Sequence, residues 1–237
     1  MRRDSNLFRS STAPCFDDNV LGESSRFRRS CFSTVVKPLI QQMRSVIDFE
    51  RALLAILWLS WLVYWISAAQ RTAPNKRMET LVEGASYRIP LAIGVCLMVF
   101  WWKPLFLRIP ALGTPSPLAA GTGLALTVAG LCFAIWARLH LGKYWSGRIT
   151  LKESHRVIQT GPYALVRHPI YSGLILALFG TAITLGTISA FAGFAFMLIS
   201  FVRKLKIEET WLRSQFGAEY EAYRNRVKAL IPRFWPV

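Results

Sequence analysis

The sequence predicts an all-α, polytopic integral membrane protein. About five transmembrane helices are expected, the last two forming a helical hairpin that leads into a cytoplasmic C-terminal helical segment. Three observations carry this reading. Of 237 residues, 53% are hydrophobic, above the roughly 45–50% of soluble domains. The apolar residues are gathered into long runs, with the charges collected between them, the pattern a bilayer imposes on a chain. The runs lack the polar stripe that a buried helix of a soluble protein presents to water.

The elements follow in order. Residues 1–42 are rich in Ser and Arg and carry no apolar stretch after the early arginines, so they read as a basic disordered tail and not as a secretory signal. Met43 stands just upstream of the first span and is expected to be the true start. The first apolar run is Ala52 to Ala69, the second Ile89 to Leu107, and the third Leu118 to Leu141. Each suffices to cross a hydrocarbon core of roughly 30 Å at about 1.5 Å per residue. The run Ile170 to Val202 is uncharged and too long for one span. It splits into helices near 170–183 and 188–202, turned around Leu185-Gly186-Thr187. Gly173, Ala177, Gly180, Ala190 and Gly193 would allow close helix contact there. Beyond Val202, an amphipathic helix, a break at Gly217, a second helix and a stop at Pro232 are expected.

Charge sets the topology. Lys and Arg number 29 against 13 Asp and Glu, a formal net charge of +16. The basic residues flank the apolar runs, which suits anionic headgroups and the positive-inside rule. The loop 142–169 and the segment after Val202 carry 13 of them and are expected on the cytoplasmic side. No nucleic-acid recognition module accompanies the charge. A transporter or channel is disfavoured, because the spans hold almost no ionisable residues. Four cysteines and three histidines form no metal-ligand spacing.

Chemistry concentrates in three places on that side. One is the stretch from His155 to Tyr163, one is Arg167 to Gly173, where a loop enters a span, and one is Glu208-Glu209. Gly161-Pro162 signals a turn. Pro169 holds His168 extended and can open the following helix. The N-terminus of that helix offers free N–H groups to an anion. Tyr163 and Tyr171 can pack on an adenine or face a sulfonium. On the residues alone Arg-His-Pro can equally serve as a helix anchor, and Glu208 can pair with Lys204 one turn earlier.

The string GPYALVRHPIYSG, an uncharged hairpin, then EETWLRSQFGAEYEAYRNRV and IP, resembles the C-terminal signature of the isoprenylcysteine carboxyl methyltransferase family. The resemblance covers roughly residues 145–232. It implies a membrane domain over 43–237, with 145–232 as a core that binds S-adenosyl-L-methionine. By the same resemblance, His155, Arg156, Val157, Ile158, Tyr163, His168, Pro169, Ile170, Tyr171 and Glu208 would contact that cofactor. An arginine that orients the substrate carboxylate in the family is replaced here by Lys204, with Arg203 beside it; both become candidates for substrate positioning. The implied reaction is carboxyl O-methylation of a lipophilic, isoprenylcysteine-like acceptor, with membrane lipids as the other partner. Phospholipid or small-molecule N- or S-methylation, an NADPH-dependent reductase of related fold and a silent membrane scaffold are the alternatives. A soluble-type methyltransferase is excluded, because no Gly-rich strand–loop–helix motif occurs.

Overall fold

A computed structural model describes residues 37–69, 75–99, 115–142, 145, 150–152 and 157–232. Met1–Arg44 and Ser45–Val237 are separate units, and the cavity and site lie within the second. Helix α1 is Lys37–Ala69; the chain is thus already helical upstream of residue 42, where the tail was expected to end. Strand β1 (Asn75–Met78) pairs antiparallel with β2 (Thr150–Lys152), Arg77 opposite Leu151 and Met78 opposite Thr150. This short ribbon is an addition to the helical architecture, which is otherwise as expected.

Helix α2 is Leu81–Val99, eight residues earlier than the apolar run placed it. Its start is set by a capping box: the Thr80 N–H donates to Glu83 Oε2 at 2.9 Å, and the Glu83 N–H donates to Thr80 Oγ1 at 3.2 Å. The helix therefore takes in Arg88 and Pro90, while the expected far end, with Lys103 and Pro104, lies outside the described residues. Helix α3 (Pro117–Leu141) begins where Ser116 Oγ accepts the Ala119 N–H at 3.2 Å and ends at Gly142.

A single helical turn, α4 (Pro162–Leu165), precedes the hairpin of α5 (Pro169–Leu185) and α6 (Ile188–Phe216). Gly186 makes the expected turn at φ 63°, a left-handed conformation that glycine adopts freely, and Thr187 caps α6. Helix α6 runs on past Val202 without a break for 29 residues, because the polar stretch that follows is made of good helix formers. It stops at Gly217, φ 50°, and α7 (Ala218–Arg226) follows, ending short of the expected Pro232.

Parts of α1, α2, α3 and α6 are long and apolar enough to cross a membrane by length and composition; α5 is apolar but has only 17 residues. The chain is a multi-pass membrane protein.

The small residues of the hairpin do not chiefly pack its two arms on each other. Helix α5 lies against α3, and α6 against α2. Gly173 faces Gly130, and a Cβ at Gly173 would lie 2.6 Å from the Gly130 carbonyl oxygen; Gly180 faces Gly123 in the same way. Gly94 and Gly193 meet on the second seam. Hydroxyls cross these seams, since Thr127 donates to Ala177 O at 3.2 Å and Ser200 donates to Tyr87 O at 2.7 Å. Without a hydrophobic drive between helices in lipid, such close approach and hydrogen bonding hold the bundle together.

Candidate cofactor and acceptor site

The site begins at the turn before α4. Gly161 has φ 59° and sits under the His140 ring, whose Nε2 is 2.9 Å from Thr160 Oγ1. This folds Val157 and Ile158 back toward the bundle and buries Tyr163. Burial pushes the Tyr163 hydroxyl above its ordinary pKa, and the neighbouring Glu208 carboxylate pushes it further.

The Arg167-His168-Pro169 step is held from two sides. Arg167 Nε donates to Glu209 Oε1 at 2.9 Å, and its Nη2 closes on the same oxygen. Arg167 Nη1 donates to the carbonyls of Arg224 and Val227. The backbone joins in: Arg167 N–H donates to Lys228 O at 2.8 Å and His168 N–H to Ala229 O at 3.0 Å. Ser172 Oγ donates to Leu230 O at 2.6 Å, and Tyr223 OH to Tyr163 O at 2.6 Å. Residues after α7 thus form a strap across the loop that enters α5.

His168 is buried between two carboxylates. Its Nε2 is 3.3 Å from Glu209 Oε1 and its Nδ1 is 3.7 Å from Glu208 Oε2. Its ring stacks on Tyr171, centroids 5.6 Å apart and planes 6° from parallel. Tyr171 OH donates to Glu208 Oε1 at 2.7 Å. The Lys204 ammonium lies over the Tyr171 ring.

His168, Tyr171, Lys204 and Glu208 line one cavity of about 870 Å³. Along α5 the lining changes from His168 and Tyr171 to Leu174, Leu178 and Leu185; along α6 it changes from Glu208 and Lys204 to Phe201 and Met197. The polar groups therefore gather where α4, α5, α6 and α7 meet, and the apolar part runs into the bundle. Trp58, Trp61 and Trp65 of α1 line it too. Their rings follow one another at 5.6 and 4.8 Å, and Trp65 meets Trp145 edge-on at 5.1 Å.

Of the residues singled out in the sequence, Val157, Ile158, Tyr163, His168, Ile170, Tyr171, Lys204 and Glu208 meet at this cavity. Pro169 is buried as the first residue of α5 and does not line it. Arg203 is exposed and reaches the Ser86 carbonyl on α2 at 3.4 Å. One residue is a turn of about 100° on a helix, so Arg203 and Lys204 cannot share a face. His155 and Arg156 lie outside the described residues. The sequence reading missed the Arg167–Glu209 pair, Tyr223 and the tryptophans as parts of the site. The tryptophans at i, i+3 and i+7 were a legible face; the ion pair spans 42 residues and left no local signal.

Residues 123–214 match the model of the isoprenylcysteine carboxyl methyltransferase (ICMT) family. The likeness is to that family over this segment. The ICMT match takes in most of α3, all of α4 and α5 and almost all of α6, including His168, Tyr171, Lys204, Glu208 and Glu209. A probable protein-S-isoprenylcysteine O-methyltransferase of Oryza sativa subsp. indica is 34% identical over 46% of this chain and 52% of its own. The protein-S-isoprenylcysteine O-methyltransferase of Saccharomyces cerevisiae is 29% identical over 78% of this chain and 80% of its own. Methanethiol S-methyltransferase 2 of Bradyrhizobium diazoefficiens is 41% identical over 60% of this chain and 56% of its own. The chain spans about half the length of the rice relative. A solved structure of the eukaryotic intramembrane Ras methyltransferase ICMT aligns with a TM-score of 0.44 and 24% identity, over 64% of this chain and 51% of that one.

Proposed function

We propose that this chain is a membrane-embedded methyltransferase. It takes a methyl group from S-adenosylmethionine and places it on the carboxylate of a lipophilic, isoprenylcysteine-like acceptor. One observation carries the reading: a single cavity joins the polar cluster of His168, Tyr171, Glu208 and Lys204 to an apolar channel lined by tryptophans. Its volume, about 870 Å³, is near the top of the roughly 300–1,000 Å³ that small-molecule sites occupy, which suits two molecules end to end.

The residues present fit the cofactor. Glu208 offers a carboxylate inside the cavity, steadied by Tyr171, for an ammonium or ribose hydroxyls. Tyr163 and Tyr171 offer aromatic faces. The first turn of α5 has no side-chain cap, which leaves N–H groups for a carboxylate. Val157, Ile158 and Ile170 provide apolar walls, and His155 and Arg156 complete the set by resemblance. The functional domain is then 43–237, with 145–232 as its cofactor-binding core. S-adenosylmethionine supplies a methyl group activated by a positive sulfur.

The chain's own residues then align and exclude water. The strap from Val227 to Leu230 closes the loop over the polar end. Lys204 holds the acceptor's anionic head. Because a carboxylate is already ionised at neutral pH, no general base is needed, and none is assigned. The acceptor's tail lies in the tryptophan channel, reached from the lipid. The basic residues around α6 and α7 support a cytoplasmic position for this end. S-methylation of a small thiol is the second reading, favoured by the Bradyrhizobium relative; the long apolar channel favours the larger acceptor.

Calorimetry with S-adenosylhomocysteine on detergent-purified protein, with NADPH titrated in parallel, tests the class. Binding of the first alone supports it; binding of NADPH alone transfers the chain to a reductase, and binding of neither leaves a scaffold.

A further inference from the structure

Lys204 lies over two aromatic rings. Its Nζ is 5.7 Å from the centroid of Tyr171, which lines the cavity, and 5.3 Å from that of Tyr87 on α2, which does not. Tyr87 is only 3% exposed. It is fixed at several points. Its hydroxyl lies 2.8 Å from both oxygens of Glu79, donating to that carboxylate. Its carbonyl accepts from Ser200, one turn before Lys204 on α6. Trp211 and Ile207 pack against it. Glu79 also pairs with Arg88, whose guanidinium lies 5.5 Å from the Tyr87 centroid, so that neighbouring charge is matched.

We propose that Tyr87 is a positioning residue: with Tyr171 it forms a two-ring cage that fixes where Lys204 carries its charge, and thereby sets the affinity for the acceptor's anionic head. The inference rests on the methyltransferase reading. The physical need is specific to a lysine. An arginine brings a rigid fork that selects its own geometry against a carboxylate, whereas an ammonium is a point charge on a stem with four rotatable bonds. Aromatic faces attract an ammonium through their quadrupole. Tyr87 and Tyr171 both flank the ammonium, and Lys204 and Tyr171 line the cavity. Tyr171 is tied to Glu208 at the cofactor end, which leaves Tyr87 as the cage wall dedicated to the acceptor.

The test uses the full chain in detergent. Methyl transfer to N-acetyl-S-farnesylcysteine gives KM and kcat, and calorimetry gives the Kd of S-adenosylhomocysteine. Tyr87→Leu is expected to raise the acceptor KM about tenfold, with kcat and the S-adenosylhomocysteine Kd within about twofold of wild type. Tyr87→Phe keeps the ring and is expected to restore most of the acceptor affinity. If Tyr87→Leu does not fold, Tyr87→Met, nearer in shape, replaces it. An unchanged KM overturns the proposal. So does a parallel loss of S-adenosylhomocysteine binding, which would mean packing alone, and so does a Tyr87→Phe as impaired as Tyr87→Leu. A wild-type protein that binds no S-adenosylhomocysteine, or does not methylate this acceptor, overturns the underlying reading and the cage with it; no comparison among variants produces that result.

Discussion

Arg167 and Glu209 tie the loop before α5 to the far part of α6. The Arg167 Nε–H donates to Glu209 Oε1 at 2.9 Å, with side chains only 7% and 15% exposed. The same arginine reaches two carbonyls beyond it, at Arg224 and Val227. Three parts of the chain therefore depend on one guanidinium.

Removing one member of a buried pair leaves the other charged and unmatched, at a cost of about 3–5 kcal/mol. Arg167→Ala should therefore destabilise strongly. Thermal melting in detergent checks this, and Arg167→Ala should melt well below Arg213→Ala, whose exposed pair with Glu221 is worth about 1 kcal/mol or less.

Glu208→Ala and His168→Ala should abolish S-adenosylhomocysteine binding while leaving membrane insertion intact. Tyr171→Phe deletes one hydrogen bond to a carboxylate, worth about 1.5–3 kcal/mol, and should weaken binding by roughly ten- to hundredfold. Calorimetry reads both; full affinity in the two alanine variants would move the cofactor elsewhere.

The α3–α5 seam admits no Cβ at Gly130, which meets the backbone of Gly173 and Ala177, whereas Gly121 has open space. Gly130→Ala should cost about 1–3 kcal/mol or more as the helices are forced apart. Gly121→Ala should be neutral or slightly stabilising. Equal melting temperatures would contradict the seam.

Burial pushes the Tyr223 phenol up to about 12, against an opposing pull from Arg167. Its bond to Tyr163 O requires the neutral form as donor. An unfolded tyrosine ionises near pH 10, so between about pH 10 and 12 the folded state holds more protons than the unfolded one. Stability from this group is complete below pH 10 and falls as pH rises through that window. Tyr223→Phe should lose about 1 kcal/mol at neutral pH and show a shallower alkaline decline in a melting series.

The hairpin and the site motif were legible because both are local. Gly186 between two apolar runs marks its own turn, and His168-Pro169 marks a helix start. The second span was misplaced because hydropathy favoured the run after Ile89, while the Thr80–Glu83 box that sets the helix start is a polar signal just before it. The pairing of α5 with α3, in place of its hairpin partner, could not be read, since small residues announce close contact without naming the neighbour. Lys204 was legible only through the family resemblance, since its spacing to Glu208 alone suggested an ordinary helical pair; Arg203 was a false neighbour, one residue and about 100° away. Tyr87 was invisible because its relation to Lys204 exists only once α2 and α6 are packed.

The strap has a consequence for biosynthesis. The N–H groups of Arg167 and His168 receive their partners from Lys228 and Ala229, which leave the ribosome some sixty residues later. While α5 and α6 are being made, the loop ahead of them has neither these acceptors nor the carbonyls that Arg167 will hold. The bundle can assemble during translation, but the polar end of the cavity becomes complete only when the chain has been made through Leu230. The order of synthesis thus makes the strap residues 228–230 the late contribution to this loop.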